Sequence, residues 1–558
     1  MGCEWRLHAS KLADGVSWAI KSITNSEHTC SGLDVKNLMV SCAWVVRVLL
    51  EDVRANNDIT AKLLNTLLFQ RFGVQMATST LYRVRQHALS QIHGSHDESY
   101  AHLPKYCEVI KLTNSGSAAF ATWKELPDQP ERPLVFKSIF ISFSGVLNGL
   151  RGCRALIGVD GAHLKGNYGG VLLSAVALDG NNELFLFAWG IVTTEDGDSW
   201  SFFVWHLKNS LASLGRGDNW CIISERQKGI DISLTDVWPE VDRRYCCKHL
   251  AVNWKKSFPG PLMFSLFRKA CKVNPAGRVW LSKLGDQKRW SKHKFNTELK
   301  CDVNVTNFVE SFNATLGLDR SRPVLTLLES VRRNTMVRMA KRRQVCETWK
   351  RQDICPHIIK RIHQLVHESR TCIAYMSVEG EYEVQDGKSV LPVNLNNHTC
   401  LCNVWQLTGI PCRHGIRAII IARLDPHSFV SDLYLVTKYK EAYSCGIKSI
   451  PDVEQWPPID MPHINPPPMK RGIGRPSRVR KRSDDGERKG KRAKTVRCSN
   501  YKAFGHNAAT CKGGMSAKQK ASYGKEGKKK QQALPSSQPA LGTRSRSRSA
   551  AAIATSQP

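Results

Sequence analysis

Three thiols and an imidazole stand close together in "CLCNVWQLTGIPCRH", as Cys400-x-Cys402-x9-Cys412-x-His414. Thiolate and imidazole are the donors that tetrahedral Zn²⁺ takes in fours, and a set supplying all four leaves no position for substrate. The chemistry expected here is structural zinc, fastening a small β–α unit. Reduced core cysteines beside a surface histidine are the other reading.

Three carboxylates suggest a different chemistry. Asp160 follows the apolar run of "ALIGVDGAHL", Glu225 follows "WCIIS", and Glu310 lies in "NFVESFNA". Acids at the ends of adjacent parallel strands emerge at one rim of a sheet, where ligands bind. Three acids with water can hold two divalent cations about 3.5–4 Å apart, which activate a water or a 3′-hydroxyl against a phosphodiester. By residue type alone, these three read first as unrelated solvated acids. The Cys246 and His249 pair in "RRYCCKHL" is open in the same way, between metal ligands and a helix-stabilising or core role.

The elements that must position these groups are legible in outline. "GGVLLSAVALDG" and "ELFLFAWGIVT", separated by Asn and Gly, predict two adjacent antiparallel strands after the one carrying Asp160. "DSWSFFVWHLKNSL" predicts a helix capped by Asp198, "WCIISE" a strand, "RQKGIDISLTDVWP" a helix and "RRYCCKHL" a strand or strand end. That order describes an α/β domain with a mixed sheet. Residues 251–345 are helical and basic in pattern. Upstream, "CEWRLHAS" and "SWAIKSI" read as strands. "VKNLMVSCAWVVRVLLEDV", "TAKLLNTLLFQRFGV" and "STLYRVRQHALSQI" read as three helices, a DNA-binding unit or a bundle bridging two domains. Residues 370–395 read as a β-rich approach to the Cys/His set, and "PPIDMPHINPPP" as a linker.

Of a net charge of +33 over 558 residues, +20 falls in residues 469–558, which hold 24 Lys/Arg against four Asp/Glu. Such an arm suits a polyanion such as nucleic acid, and its low complexity predicts disorder. Within it, "MKRGIGRPSRVRKRSDDGERKGKRAK" offers Arg471, Gly474, Arg475, Pro476, Arg478, Arg480, Lys481 and Arg482. An extended Gly-Arg-Pro fits an A·T minor groove, as it would a solvated linker, and the cluster suits nuclear import better than a linker. Nineteen cysteines, an odd number and clustered, read as reduced thiols and metal ligands. "MGCEWRLHAS" has no apolar signal core, and Arg6 stands where a myristoylation signal needs Ser or Thr. No apolar run approaches 18 residues, so no membrane partner is expected.

In this order, "IGVDGAHLKGNYGGVLLSAVALDGNNELFLFAWGIVTTEDGDSWSFFVWHL", "IISERQKGI", "RRYCCKHL" and "TNFVESFNATL" resemble the core of plant Mutator-like element (MULE) transposases. The resemblance covers most of the chain. It implies an α/β fold: an RNase H-like mixed-sheet core with a helical insertion, small zinc-finger domains and a disordered basic C-terminal tail. It implies a catalytic triad at Asp160, Glu225 and Glu310, and the family's Cys-x-x-His element falls on Cys246 and His249. Cys400, Cys402, Cys412 and His414 resemble a SWIM-type zinc finger. Cys498, His506 and Cys511 resemble a CCHC zinc knuckle with Tyr501 in place of its second cysteine, hence a degenerate one. Cys3, His28 and Cys30 resemble the end of a WRKY/GCM-like zinc finger whose first cysteine would precede Met1, so an N-terminal truncation is expected. The basic segment resembles an AT-hook, with Ile473 rather than Arg before the Gly.

The implied domains are the finger remnant at 1–30, a helical unit at 34–95, the transposase domain at 150–345, the SWIM finger at 370–425 and the linker and tail at 456–558. The implied function is a nuclear transposase that cuts and joins double-stranded DNA, with structural Zn²⁺ and catalytic Mg²⁺ or Mn²⁺. A homo-oligomer is compatible with it, and no small-molecule substrate is expected. The family usually reads Ser-Asp where this chain reads Ser224-Glu225. The substitution leaves open a catalytically inactive, domesticated transcriptional regulator of the far-red-response type.

Overall fold

Apolar runs separated by turn residues build a seven-stranded sheet from strands between Ala118 and Tyr245. The computed structural model describes residues 4–25, 27, 40–57, 59–126, 133–217, 219–258, 275–350 and 353–469. Cys3, His28, Cys30, Cys498, His506 and Cys511 lie outside the described residues. So do Arg471, Gly474, Arg475, Pro476, Arg478, Arg480, Lys481 and Arg482.

The chain opens with an antiparallel hairpin, β1 (Arg6–Lys11) and β2 (Trp18–Thr24). Its turn is held by Asp14 Oδ1, which accepts from the backbone of Val16 and Ser17. Three helices follow: α1 (Cys42–Ala55), α2 (Ala61–Phe72) and α3 (Thr78–His93). Their facing positions, among them Val45, Leu49, Leu64, Leu68, Leu81 and Val84, form a core of their own. The first helix begins at Cys42, where Ser41 caps it by accepting from Trp44 N; residues 35–39 of the "VKNLMV" run lie outside the described residues. Helices α4 (His96–Ala101) and α5 (Leu103–Thr113) lead to strands β3 (Ala118–Glu125) and β4 (Leu134–Ser142). The sheet therefore takes in two strands ahead of residue 150.

After α6 (Ser144–Gly149) come β5 (Leu156–His163), β6 (Val171–Leu178) and β7 (Leu184–Val192), then α7 (Gly197–Ala212), β8 (Cys221–Ser224), α8 (Lys228–Val237) and β9 (Asp242–Tyr245). Every residue of β6 is buried, as befits a strand covered on both faces. The seven strands run in the order β3-β4-β7-β6-β5-β8-β9; the pairings β5–β8 and β8–β9 are parallel, and the others in this sheet are antiparallel. The cap of α7 is Asp196, whose Oδ1 accepts from Ser199 N, and Asp198 sits in the first turn instead. Past the sheet run α9 (Cys247–Ser257), α10 (Pro275–Ser282), α11 (Asn307–Thr315), α12 (Val324–Glu347) and α13 (Pro356–Ser369).

A second sheet, the antiparallel meander β10 (Ile373–Met376), β11 (Glu381–Asp386), β12 (Ser389–Asn394) and β13 (Thr399–Cys400), packs on α15 (Arg413–Ile421), which follows the short α14 (Val404–Thr408). Helix α16 (Val436–Ala442) follows. The Pro-rich segment is no free linker over its described length. Strand β7 pairs with β4 only over Ser138–Ile141, leaving the lower edge of β4 open. Asn465 pairs there, donating to Leu134 O at 2.9 Å and accepting from Phe136 N at 3.0 Å, with Ile464 fully buried beside it. Prolines are tolerated at such an edge because they need supply no ladder donor.

Candidate functional site

The register of two parallel pairs aligns three chemically active residues. Gly158 of β5 pairs with Ile223 of β8, and Ser224 of β8 with Tyr245 of β9. Two residues past the first pair stand Asp160 and Glu225, and one past the second stands Cys246. The backbone N–H of Cys246 still bonds to Ser224 O at 2.9 Å. Asp160 does not end its strand, as the sequence had suggested. The β8 ladder stops before it, but β5 continues along β6, where Asp160 pairs with Ser174.

Helix α11 lies directly against this rim. A side chain at Gly158 would collide with Val309 and Phe308, so the bare glycine admits the helix. Side chains three apart on a helix share a face, which brings both Glu310 and Asn313 to the rim. Asn313 Nδ2 donates to Asp160 Oδ2 at 2.8 Å. Glu310 forms an ion pair with Lys248 at the start of α9. His249 lies between the other two acids, its Nε2 3.7 Å from Glu225 Oε2 and 3.9 Å from Glu310 Oε1.

The electrostatics follow from this crowding. Burial, and then the charge of Glu225, push the Asp160 carboxyl up to about 6, against the Gly161 N–H, His249 and Asn313, which favour its ionised form. The imidazole of His249 is raised above its ordinary value, first by hydrogen bonding to Cys246 and also by the charges of Glu225 and Glu310, with burial opposing. Cys246 is pulled down to about 7. Burial would raise it, but His249 and Thr306 outweigh that, and Thr306 donates to the sulfur from both N and Oγ1 at 3.3 Å.

Asp160, Glu225 and Glu310 thus share one rim, but among the described residues they do not close to within 4.8 Å of one another as a ligand set. Nor do Cys246 and His249 find a third ligand at that distance. The carboxylate oxygens are donors of the kind Mg²⁺ and Mn²⁺ take. Burial, helped by the charge of Glu225, makes the ionised Asp160 costly, and a divalent cation would relieve that cost.

The second site is far tighter. Cys400 ends β13, Cys402 lies in the next turn, Cys412 caps α15 and His414 sits in its first turn, with all four ligand atoms within 4.8 Å of one another. His414 Nδ1 is 3.6 Å from Cys400 Sγ and 3.7 Å from Cys412 Sγ. A tetrahedral Zn²⁺ with its usual bond lengths sets S and N about 3.6 Å apart, so the spacing fits the ion. Cys402 and Cys412 push His414 up to about 10: the clustered sulfurs attract positive charge. His414 Nε2 meets Asp386 Oδ2 of β11 at 3.1 Å, and Arg413 pairs with the same oxygen.

Residues 156–253 match the MULE transposase domain. The match begins with β5 and ends in α9, so the matched segment contains Asp160, Glu225, Cys246 and His249, whereas Glu310 lies beyond it. Residues 382–422 match the SWIM zinc finger and hold all four ligands together with Asp386. A comparison with curated proteins found no match.

Reasoning from sequence missed Lys248, Thr306, Asn313 and Asp386. Asn313 had a signal, its i+3 spacing from Glu310. Asp386 had none, because its place beside His414 depends on how the meander folds back.

Proposed function

We propose that the chain is a DNA-acting transposase, or a protein derived from one, whose MULE domain presents Asp160 and Glu225 to divalent cations. One observation carries this reading: the β5–β8 register sets the two acids side by side, and the charge of Glu225 helps raise Asp160. Mg²⁺ or Mn²⁺ held there would activate a water or a 3′-hydroxyl against a phosphodiester. Asn313 orients the Asp160 carboxylate, and Glu310, on the same helix, is the third candidate ligand. His249 and Lys248 supply positive charge beside the acids. The SWIM finger is structural in this reading, with Zn²⁺ joining β13 to α15. Nuclear location and duplex DNA as partner belong to the same proposal.

A second reading, a DNA-binding regulator without turnover, is favoured by the ion pair between Lys248 and Glu310 and by Glu at position 225. A strand-cleavage assay with Mg²⁺ or Mn²⁺ decides between them. Cleavage by the unaltered chain that Asp160→Ala abolishes supports the enzyme. Duplex binding without cleavage, unchanged by Asp160→Ala, supports the regulator.

A further inference from the structure

Helices α1, α2 and α3 lie ahead of both matched segments and carry none of the acids or zinc ligands. They are held together by more than their shared core. Arg71 donates to both carboxylate oxygens of Asp52 at 2.7 Å, joining α2 to α1. Arg85 Nη2 donates to Asn57 O at 2.7 Å, joining α3 to the connection between α1 and α2. Helices α2 and α3 are separated by five residues, Gly73–Ala77. Gly73 opens this turn in the left-handed conformation, Val74 is buried, and Met76 N donates to Asn65 Oδ1 at 3.0 Å. A short turn containing glycine, between two packed helices, is the arrangement that places a second helix in the major groove of DNA.

The faces of α3 are chemically distinct. Leu81, Val84 and Ala88 are buried in the helical core. At the C-terminal end, His93 O accepts from Thr326 Oγ1 at 3.1 Å, which ties the helix to α12. Ser79, Tyr82, Arg83 and Gln86 are exposed, and their helical spacing makes them one stripe opposite the buried one. Residues 61–93 contain no Asp or Glu, against Lys62, Arg71, Arg83 and Arg85. The first turn of α3 holds no acid and its cap makes no side-chain bond, so the positive end of its dipole is unmatched. Such a surface suits a polyanion. The stripe carries more than charge. An arginine fork matches guanine O6 and N7, and a glutamine amide matches adenine N6 and N7, all presented in the major groove.

We propose that α3 enters the major groove of a DNA duplex, with Arg83 and Gln86 reading base edges and Ser79 and Tyr82 contacting the adjacent backbone. This rests on the duplex partner proposed above, and it assigns sequence recognition to a unit other than the one carrying the acids. Duplex RNA, with its deep and narrow major groove, does not admit the helix.

The test is selection from a random-sequence DNA duplex pool by the full chain, run without Mg²⁺ or Mn²⁺ so that cleavage plays no part. The chain is expected to enrich one short sequence and to bind it at least about tenfold more tightly than the unselected pool. Arg83→Ala/Gln86→Ala should lose that preference while still binding the pool. Both side chains are exposed, so the fold is kept. Enrichment of the same sequence by the variant, or an equal loss of affinity for the selected sequence and the pool, overturns the proposal. So does equal competition by an RNA duplex of the selected sequence. Binding of the pool without preference by the full chain removes the recognition helix alone, whereas no duplex binding at all removes the duplex partner with it.

Discussion

Asn313 Nδ2 donates to Asp160 Oδ2 at 2.8 Å, tying the helix that carries Glu310 to the strand that carries the first acid. The bond crosses from α11 to β5 at the point where Gly158 lets the two backbones approach. Asp160 is therefore oriented by the same helix that brings Glu310 to the rim, although some 150 residues separate them in sequence.

Removing that donor should be felt by the ionised carboxyl. Asn313→Ala is expected to raise the Asp160 carboxyl further and to cost about 1–2 kcal/mol at neutral pH, as for a lost hydrogen bond to a charged group. Urea unfolding at pH 7 measures the cost. A variant as stable as the parent would mean that the contact contributes nothing.

Asp160 also predicts a pH dependence. Its folded value of about 6 lies above the ordinary 3.8, so between these limits the folded chain binds more protons than the unfolded one. Stability from this group therefore falls as pH rises from about 4 to 6, by on the order of 2 kcal/mol. Asp160→Asn should be more stable than the parent at pH 7 and lack this slope. Added Mg²⁺ should stabilise the parent at pH 7 and leave Asp160→Asn unchanged. Denaturation at several pH values, with and without Mg²⁺, checks both points.

The alternation of strands and helices from residue 155 to 250 could be read from the sequence because each apolar run is bounded by Asn, Gly or a capping residue. The four SWIM ligands were legible because their spacing is local. What could not be read depends on contacts between distant segments. Strands β3 and β4 join the sheet edge, and Asn465 completes the edge of β4 across more than 300 residues. Lys248 and Asn313 become neighbours of the acids only once α9 and α11 pack at the rim. Asp196 displaced Asp198 as the cap because its side chain reaches Ser199 N from a non-helical backbone.

The SWIM site should lose metal by two routes. Cys412→Ser removes a ligand and is expected to lower the zinc content of the purified protein by one equivalent. Asp386→Asn keeps every ligand but weakens the partner of His414 Nε2. Carboxylates in that position typically contribute about 10–100-fold to metal affinity, and a chelator-competition titration should show a loss of that order. Unchanged zinc content in Cys412→Ser would rule out binding at this site.

The last prediction concerns the cations beside the acids. Lys248 pairs with Glu310 while half exposed, so its removal should change stability by less than about 1 kcal/mol. Its ammonium nevertheless competes for the carboxylate that a divalent cation would use. Lys248→Gln is therefore expected to tighten Mn²⁺ binding severalfold, read by titration calorimetry. Unchanged affinity would separate Glu310 from the cation site. Glu225→Asp acts on the other side of the rim. Shortening the side chain withdraws its oxygens from His249, now 3.7 Å away, towards the strand end beside Asp160. Misplacements on the order of 1 Å can cost about 10²-fold in rate, so Glu225→Asp should raise metal-dependent cleavage by up to that factor. A lower rate in Glu225→Asp would mean that the rim is built for the longer acid.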